Sequence, residues 1–467
     1  MSTTVASGSH RADISTAAIV LAAGRGVRMV SALPKVLHQV GGVPMIRRVV
    51  SAVQASGIES IALVVSSETE SRCSDLGGDI KSAIQDPPRG TGDAVRVGLE
   101  AFERTPDRLL VVGGDTSLVL PTTLGALLDA VPEAAIALAT AEVDDPTGYG
   151  RVMLDADGRV QRIVEQNDAS AEERRVKLID GMLFAFDGHW LASALPRLRA
   201  SRSGELYLTD LVAEAVSDGR IVCEVRRMDP WEVAGVNDRR QLAEAEGVLR
   251  QRVLERLMAA GVTIIDPAST YVDESVTVER DVVIHPQSFL RGHSVIGEAC
   301  VLGPGAEIID SQLGKGVRVW WSVVEGARVS DWVTIGPYGR VRPGSELGEE
   351  VAIGSFSEVK NSALGARTQM HHFGYLGDAQ VGPDVNIGAG VVTVNYDGVD
   401  KHVTIIGADA FVGSDTMLIA PVEVGDGAMT GAGSVVTRDV PAGALVVGVP
   451  ARPRERPRRP KSGKDDS

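Results

Sequence analysis

The sequence predicts an α/β domain built on a mainly parallel sheet, followed by a parallel β-helix of hexapeptide repeats. Strand-length apolar runs alternate with helix-length amphipathic stretches up to residue 237, a sixfold aliphatic period begins after Gly261, and aromatics are only 4% of a chain with 52 glycines. Alternation of the first kind packs helices on both faces of a parallel sheet and puts ligands at the carboxyl ends of its strands. A sixfold step with small or turn residues after each aliphatic suits three-sided coils, each taking three hexapeptides and stacking on the next. A narrow coil interior favours aliphatic residues, which accounts for the scarcity of aromatics.

The elements follow in order. The polar start, residues 1–14, has no apolar periodicity and is expected to be disordered. Strands are expected at AAIVLAAG (17–24), IALVVSS (61–67), RLLVVGGD (108–115), AAIALAT (134–140) and LFAFDG (183–188), each bounded by Gly, Asp or Ser. Helix-length segments such as MIRRVVSAVQASG (45–57) and GTGDAVRVGLEAFER (90–104) lie between most of them, giving a first domain over 15–237. At 238–261 the pattern turns helical, with Leu242, Leu249, Val253 and Leu257 on one face and Gly261 placed to stop it. It reads as a linker helix or as the last helix of the first domain.

The coil is expected over 262–449. Val329, Ile335, Val341, Leu347, Ile353 and Val359 form one sixfold series, Ile406, Val412, Leu418 and Val424 another, and Ile296, Leu302 and Ile308 keep the step earlier. The period breaks at 361–378 and 395–404, which predicts loops thrown out of the coil, where function is usually placed. The end, 450–467, is Pro-rich and basic and is expected to be a disordered, solubilising tail.

Length and charge narrow the function. A chain of 467 residues exceeds one ordinary core, and its 44% hydrophobic and 23% charged residues are the balance of a globular protein. A formal charge of −15 argues against the concentrated basic face that duplex DNA needs, so no nucleic-acid partner is expected. A few local donors still suffice for a phosphorylated small molecule. Cys73, Cys223 and Cys300 are widely spaced with no CxxC pair and read as reduced thiols. No apolar run reaches the roughly 18 residues that cross a bilayer, so no membrane role is expected and the expected location is cytoplasmic.

Chemistry gathers first where the strand IVLAAG runs into Gly24, Arg25, Gly26, Val27 and Arg28, with Lys35 a short turn later. Glycines after a strand let backbone N–H groups approach phosphate oxygens, while Arg28 and Lys35 bring charge to the same anion. The motif is neither the GKS/GKT phosphate loop nor the dinucleotide GxGxxG, so a different nucleotide reaction is implied. Gln85 ahead of the GTG at 90–92, Asp115 at the end of RLLVVGGD, and Asn237 in WEVAGVND belong with it. A carboxylate and an amide oxygen at strand ends suit one Mg²⁺ shared with substrate phosphates.

These motifs, with PTGYGRV (146–152), IVEQ (163–166), GELYLTD (204–210) and the hexapeptide half, resemble the GlmU family of bifunctional N-acetylglucosamine-1-phosphate uridylyltransferases and glucosamine-1-phosphate N-acetyltransferases. The resemblance spans roughly 15–450. It implies a Rossmann-like nucleotidyltransferase domain, a left-handed β-helix, a homotrimer, and UTP, acetyl-CoA and sugar-1-phosphates as substrates. By the resemblance, Leu21, Ala22, Gly24, Arg28 and Lys35 would hold UTP, with Arg28 and Lys35 acting on its phosphates. Gln85, Gly90 and Thr91 would contact uracil, Asp115 and Asn237 would carry Mg²⁺, and Gly150, Glu165, Tyr207 and Thr209 would line the sugar side.

In the second half the family pattern His-x-x-Tyr-x-Gly-Asp aligns with His372, Tyr375, Gly377 and Asp378, which selects His372 over the adjacent His371 as general base. Acetylating an amine requires removal of a proton near neutral pH, a task suited to imidazole. The resemblance further implies Arg342, Lys360, Tyr375, Asn386 and Lys401 on the sugar phosphate, Asn395 positioning the amine, and Ala389, Ser414 and Ala432 on acetyl-CoA. Glu358 is a candidate to orient the base.

The chain departs from the family at Val27, at Ser117 and at Ile179, each replacing a residue the family uses, and at Gly374 and Val449 in the second half. Missing polar partners in a site built on hydrogen bonds can cost orders of magnitude in discrimination. Three readings therefore stand: the full bifunctional enzyme, a relative with intact acetyl transfer and altered or lost nucleotidyl transfer, and a non-catalytic sugar-nucleotide sensor.

Overall fold

The computed structural model describes residues 14–24, 26–73, 76, 80–202 and 204–454. Arg25, nearly all of the N-terminal stretch expected to be disordered, and the tail beyond Arg454 lie outside the described residues. The chain divides into two compact units after Leu249.

The first unit is built on a nine-stranded sheet. Its order is Val222–Arg227, Ile136–Glu142, Leu178–Asp187, Arg108–Gly113, Thr16–Ala22, Ser60–Val65 and Ile80–Ile84, with the hairpin Gly150–Leu154 and Val160–Val164 attached to Leu178–Asp187. Pairs along the centre are parallel, while Leu178–Asp187 runs antiparallel to both neighbours. The strand Thr16–Ala22 shows why the fold is layered: Ala18, Val20 and Ala22 enter one core, Ala17 and Ile19 the other. Helix Met45–Ala55 packs Ile46, Val49, Val50 and Val53 into the first core, and helix Thr91–Leu99 packs Ala94 and Val95 into the second. Leu21 pairs with Gly113, so the loops leaving these two parallel strands emerge side by side.

All five expected strands are present with shifted ends. Ile80–Ile84, the hairpin and Val222–Arg227 were not expected, because each mixes charged or polar residues into its apolar run. Helix Arg239–Ala259 supplies Leu242, Ala245 and Leu249 to the first unit, and Val253, Leu254 and Leu257 to the second. It is packed along its length rather than a bare linker.

The second unit consists of three sheets of 12, 10 and 9 short strands, all parallel except the last strand of the largest sheet, consistent with a left-handed hexapeptide β-helix. The register in the largest sheet runs Val283, Val301, Arg318, Thr334, Ala352, Gln369 and Asn386, a step of 16 to 18 residues per coil. Every aliphatic of the sixfold series is buried in one continuous core, from Ile296 to Val424.

The two expected loops part company. Between Asn386 and Phe411 the step lengthens to 25 residues, so 395–404 is an insertion. Residues 361–378 stay in the coil as strands Ala363–Leu364, Gln369–Met370 and Gly374–Gly377, correcting the expectation of a protruding loop there. His371 and His372 occupy a corner between sheets, where outward polar residues break the hydrophobic pattern without breaking the coil. The tail too starts later than composition suggests, since Arg452–Arg454 pairs antiparallel with Leu445–Val447, which satisfies its backbone. Among the described residues, no helix is long and apolar enough to cross a membrane.

Candidate active sites

In the first unit a cavity of about 710 Å³ opens at the carboxyl ends of Thr16–Ala22 and Arg108–Gly113, a volume typical of small-molecule sites. Leu21, Ala22, Gly24, Lys35, Gln85, Gly90, Thr91, Asp115, Gly150, Glu165, Tyr207 and Asn237 all line it. Gly26 turns with φ 57°, and a Cβ there would lie 2.5 Å from the Cβ of Lys35, so the turn that presents Lys35 requires glycine. Lys35 Nζ pairs with Asp115 Oδ2 and donates to Asn237 Oδ1 at 3.1 Å. The carboxylate and the amide oxygen thus converge on one cationic centre. Arg28 sits at the rim, where a Cβ on Gly148 would meet its Nη1 at 2.9 Å.

The donor set fits a hard cation. Two oxygens aimed at one point, with the remaining positions left to water and phosphate, suit Mg²⁺ rather than an all-protein cage. No cluster of three His, Cys, Asp or Glu side chains that could hold a metal occurs among the described residues. Tyr149, which sequence reasoning missed, braces this corner: its hydroxyl donates to Gly235 O at 3.0 Å and accepts from Gln241 Nε2 at 3.2 Å. Gly235 lies against Asp115, and Asn237 turns its amide donor to Gly235 O, leaving Oδ1 toward Lys35. Burial, then the Asp115 charge, push the Tyr149 phenol above its ordinary range, so it stays a neutral brace.

At one end of the cavity, Gln85 Nε2 donates to Gly90 O at 3.0 Å and to Asp93 Oδ2 at 2.8 Å. Both amide protons are used, so what Gln85 has left to offer a ligand in this cavity is its carbonyl oxygen. Thr91 Oγ1 accepts from Leu208 N, holding Tyr207 beside the cavity. Thr209, fully buried, donates to Glu165 Oε1 at 2.8 Å and so acts behind Glu165. Burial raises the Glu165 carboxyl, against the Thr209 hydrogen bond.

Two departures from the family pattern lie off this surface. Ile179 packs with Tyr149 and Ala234, and Ser117 is buried with its hydroxyl unpaired among the described residues. Only Val27 lines the cavity.

In the second unit, register assembles the candidates. Gln369 pairs with Asn386, Asn386 with Phe411, and Phe411 with Met429. Three residues further on, the same corner of four successive coils carries His372, Ala389, Ser414 and Ala432. Coils stack about 4.8 Å apart, so the imidazole heads a track of small residues. Ser357 Oγ donates to His372 O at 2.6 Å, pinning the turn.

From this corner the strand Gly374–Gly377 crosses one face, with Tyr375 midway. At its far edge Lys360 pairs with Gly377, and Arg342 falls level with Lys360. Asp378, which closes the His-x-x-Tyr-x-Gly-Asp pattern but carried no expected role, accepts from Asn361 Nδ2 at 2.6 Å and from Asn395 Nδ2. Burial opposes ionisation of Asp378, but these donors and the charges of Lys360 and Lys401 outweigh it and hold the carboxyl below its usual range.

Glu358 pairs with Arg342 at 2.7 Å, correcting its candidacy as the orienter of His372. Asn386 belongs to the neighbouring sheet beside Gln369 and Asp384, and a single chain does not bring it to the Arg342–Lys360 edge. The cysteines are free, and burial pushes Cys300 up to about 11, leaving it an unreactive thiol.

Comparison with known proteins agrees with both units. A MobA-like NTP transferase domain matches residues 18–181, and a bacterial transferase hexapeptide model of six repeats matches 404–438. The chain is 46% identical to the bifunctional protein GlmU of Streptomyces coelicolor over 92% of this chain and 91% of that one. It is 43% identical to GlmU of a Geobacillus species, over 92% and 94%, and to GlmU of a Synechococcus species, over 92% and 95%. Nothing in these matches or in the cavity favours lost nucleotidyl transfer. The chain belongs to the GlmU family, bifunctional uridylyltransferases and acetyltransferases of UDP-N-acetylglucosamine synthesis.

Proposed function

We propose that the second unit acetylates glucosamine-1-phosphate from acetyl-CoA and the first couples the product to UMP from UTP, with the residues above in these roles. The convergence of Asp115, Asn237 and Lys35 at the cavity end carries the reading of the first unit. Asp115 and Asn237 would hold Mg²⁺, which when bound neutralises phosphate charge and aligns the triphosphate. Arg28, Lys35 and the backbone after Ala22 hold the phosphates, while Gln85, Gly90 and Thr91 hold uracil. Glu165, set by Thr209, lies with Gly150 and Tyr207 on the sugar side. No covalent nucleophile is needed, because the sugar phosphate oxygen displaces pyrophosphate directly.

In the second unit Arg342, Lys360 and Lys401 attract the sugar phosphate, and Tyr375 lies along its path. Asn395 positions the amine, His372 takes its proton, and the small row Ala389, Ser414 and Ala432 leaves room for the pantetheine chain of acetyl-CoA. Asn386 serves the adjacent copy in a homotrimer. An exposed aromatic row, Trp321, Tyr338, Phe356 and Phe373, runs beside the His372 corner and supports burial between copies. Replacing Trp321 and Phe356 with Asp should leave monomers by sedimentation and abolish acetyl transfer; trimers that persist would remove this support. We place the enzyme in the cytoplasm, where these substrates are made.

The direct test measures pyrophosphate release with UTP, Mg²⁺ and N-acetylglucosamine-1-phosphate, and thiol release with acetyl-CoA and glucosamine-1-phosphate. Both are expected from the one protein. Absence of either with its named sugar sinks that half of the assignment. Gln85→Leu should raise the KM for UTP by about 10–100-fold, since it removes the oriented carbonyl, and leave the KM for the sugar within about twofold. Equal increases in both constants would contradict a base-reading role for Gln85.

A further inference from the structure

The roles assigned to the first unit leave Tyr149 and Gln241 unused, yet the two close a ring of hydrogen bonds around the turn that carries Asn237. Gln241, in the first turn of helix Arg239–Ala259, accepts at Oε1 from Asn237 N at 2.7 Å and donates from Nε2 to the Tyr149 hydroxyl at 3.2 Å. The hydroxyl donates to Gly235 O at 3.0 Å, and Asn237 Nδ2 donates to the same carbonyl at 3.3 Å. Val236, between them, donates its N–H to Asp115 O at 3.0 Å. All three residues of the turn are therefore held by their backbone.

Each bond in the ring runs one way only. The Asn237 N–H can only donate, so Gln241 gives it the carbonyl and turns its NH₂ to Tyr149. The phenol, already accepting, spends its single proton on Gly235 O. That carbonyl has two lone pairs, and the phenol and Asn237 Nδ2 take both. What the ring leaves over is Asn237 Oδ1, facing Lys35 Nζ at 3.1 Å beside Asp115. The Asn237 Nδ2 bond, at 3.3 Å, is the longest of the set, so the side chain relies on the backbone bonds for its place.

Tyr149 cannot swing away. It is 8% exposed, lines the cavity, and packs with Ala234 and with Ile179, one of the departures from the family pattern. Its carbonyl accepts from Arg151 Nη1, and Arg151, fully buried, donates from Nη2 to Gln166 Oε1 at 2.6 Å. Gly148 N donates to the same Gln166 oxygen at 3.2 Å. The backbone around Tyr149, which continues into Gly150, is thus tied to the residue after Glu165. One side chain joins the turn bearing Asn237 to the strands bearing Gly150 and leading to Glu165.

We propose that Tyr149 and Gln241 are positioning residues of uridylyl transfer: they fix the Asn237 carbonyl beside Asp115 for a cation and tie that turn to the sugar side. This rests on the reading that Asp115 and Asn237 hold Mg²⁺ and that Gly150 and Glu165 face the acceptor sugar. A sugar phosphate that settles Gly150 and Glu165 then also settles the metal turn, so metal and sugar strengthen each other's binding.

The test titrates Mg²⁺ against the thermal midpoint of the full chain with α,β-methylene-UTP, whose carbon bridge blocks pyrophosphate release, with and without N-acetylglucosamine-1-phosphate. In the parent the sugar phosphate should lower the half-effective Mg²⁺ concentration by about threefold or more. Tyr149→Phe keeps the aromatic packing and loses both bonds of the hydroxyl, so its unliganded midpoint should stay within a few degrees of the parent. Its half-effective Mg²⁺ should rise about 5–10-fold and no longer respond to the sugar. With UTP itself, pyrophosphate release should be slow at low Mg²⁺ and return to within about threefold of the parent at saturating Mg²⁺. Gln241→Leu should do the same. The double variant should fall no more than about twofold below the worse single one, because a ring opened at one bond is open.

A Mg²⁺ curve in Tyr149→Phe that matches the parent, a lost rate that Mg²⁺ does not restore, or additive losses in the double variant overturns the proposal. A sugar phosphate that leaves the parent's Mg²⁺ curve unmoved overturns the tie to the sugar side. Should Tyr149→Phe fail to fold, Gln241→Leu decides alone. A parent that Mg²⁺ and the analogue do not stabilise overturns the metal reading beneath, whatever the variants do.

Discussion

His372→Ala is expected to lower acetyl transfer by about 10²–10⁴-fold and to leave pyrophosphate release by the first unit unchanged. The imidazole is exposed at a coil corner whose backbone Ser357 pins, so its removal leaves no cavity in the core. The loss should therefore fall on rate and not on folding, with the thermal midpoint of the protein preserved. His371→Ala provides the control: its backbone carbonyl accepts from Ser355 N at 3.2 Å whatever side chain it carries, and a change of severalfold at most is expected. Should His371→Ala be the damaging variant, the base has been assigned to the wrong ring. His372→Gln distinguishes proton removal from simple positioning, because it keeps hydrogen bonding and loses basicity; it should be nearly as slow as His372→Ala.

The coil was legible because each hexapeptide must send one aliphatic inward, and residues such as Val329, Ile335 and Val341 repeat at the spacing the geometry demands. The outward face has no such constraint. That is why the corner bearing His371 and His372 looked like a broken period when it was an ordinary turn, and why only the lengthened step at 395–404 was a true insertion. In the first unit the glycine-rich turn, Lys35, Asp115 and Asn237 were recognisable because they follow strand ends, where ligands sit.

Juxtapositions that depend on strand register were not legible. Asp180 and Gly150 are thirty residues apart in the chain and meet only because a hairpin attaches to an antiparallel strand. Glu358 looked free to serve His372 until the stacking of coils put Arg342 against it. Ile179 looked like a missing substrate contact, yet strand alternation turns it into the cluster with Tyr149 and presents Asp180 to the cavity instead.

Asp115→Ala should lower uridylyl transfer by about 10³-fold while acetyl transfer proceeds normally. The size follows from what the carboxylate does: among the described residues it supplies the full negative charge at the point where Lys35 and Asn237 converge, and its side chain is only 19% exposed. Without it a hard cation keeps one amide oxygen from the protein, too little to fix the triphosphate. Lys35→Met separates the two charges. It removes a phosphate contact and leaves both oxygen ligands, so transfer should fall while Mg²⁺ still raises the thermal midpoint in the presence of UTP. In Asp115→Ala that stabilisation should vanish, because a ligand that binds the folded state shifts the midpoint only as far as it is bound. If Mg²⁺ and UTP stabilise Asp115→Ala as strongly as the parent, the convergence of Asp115 and Asn237 on Lys35 is an ion pair of the resting fold and the metal is held elsewhere.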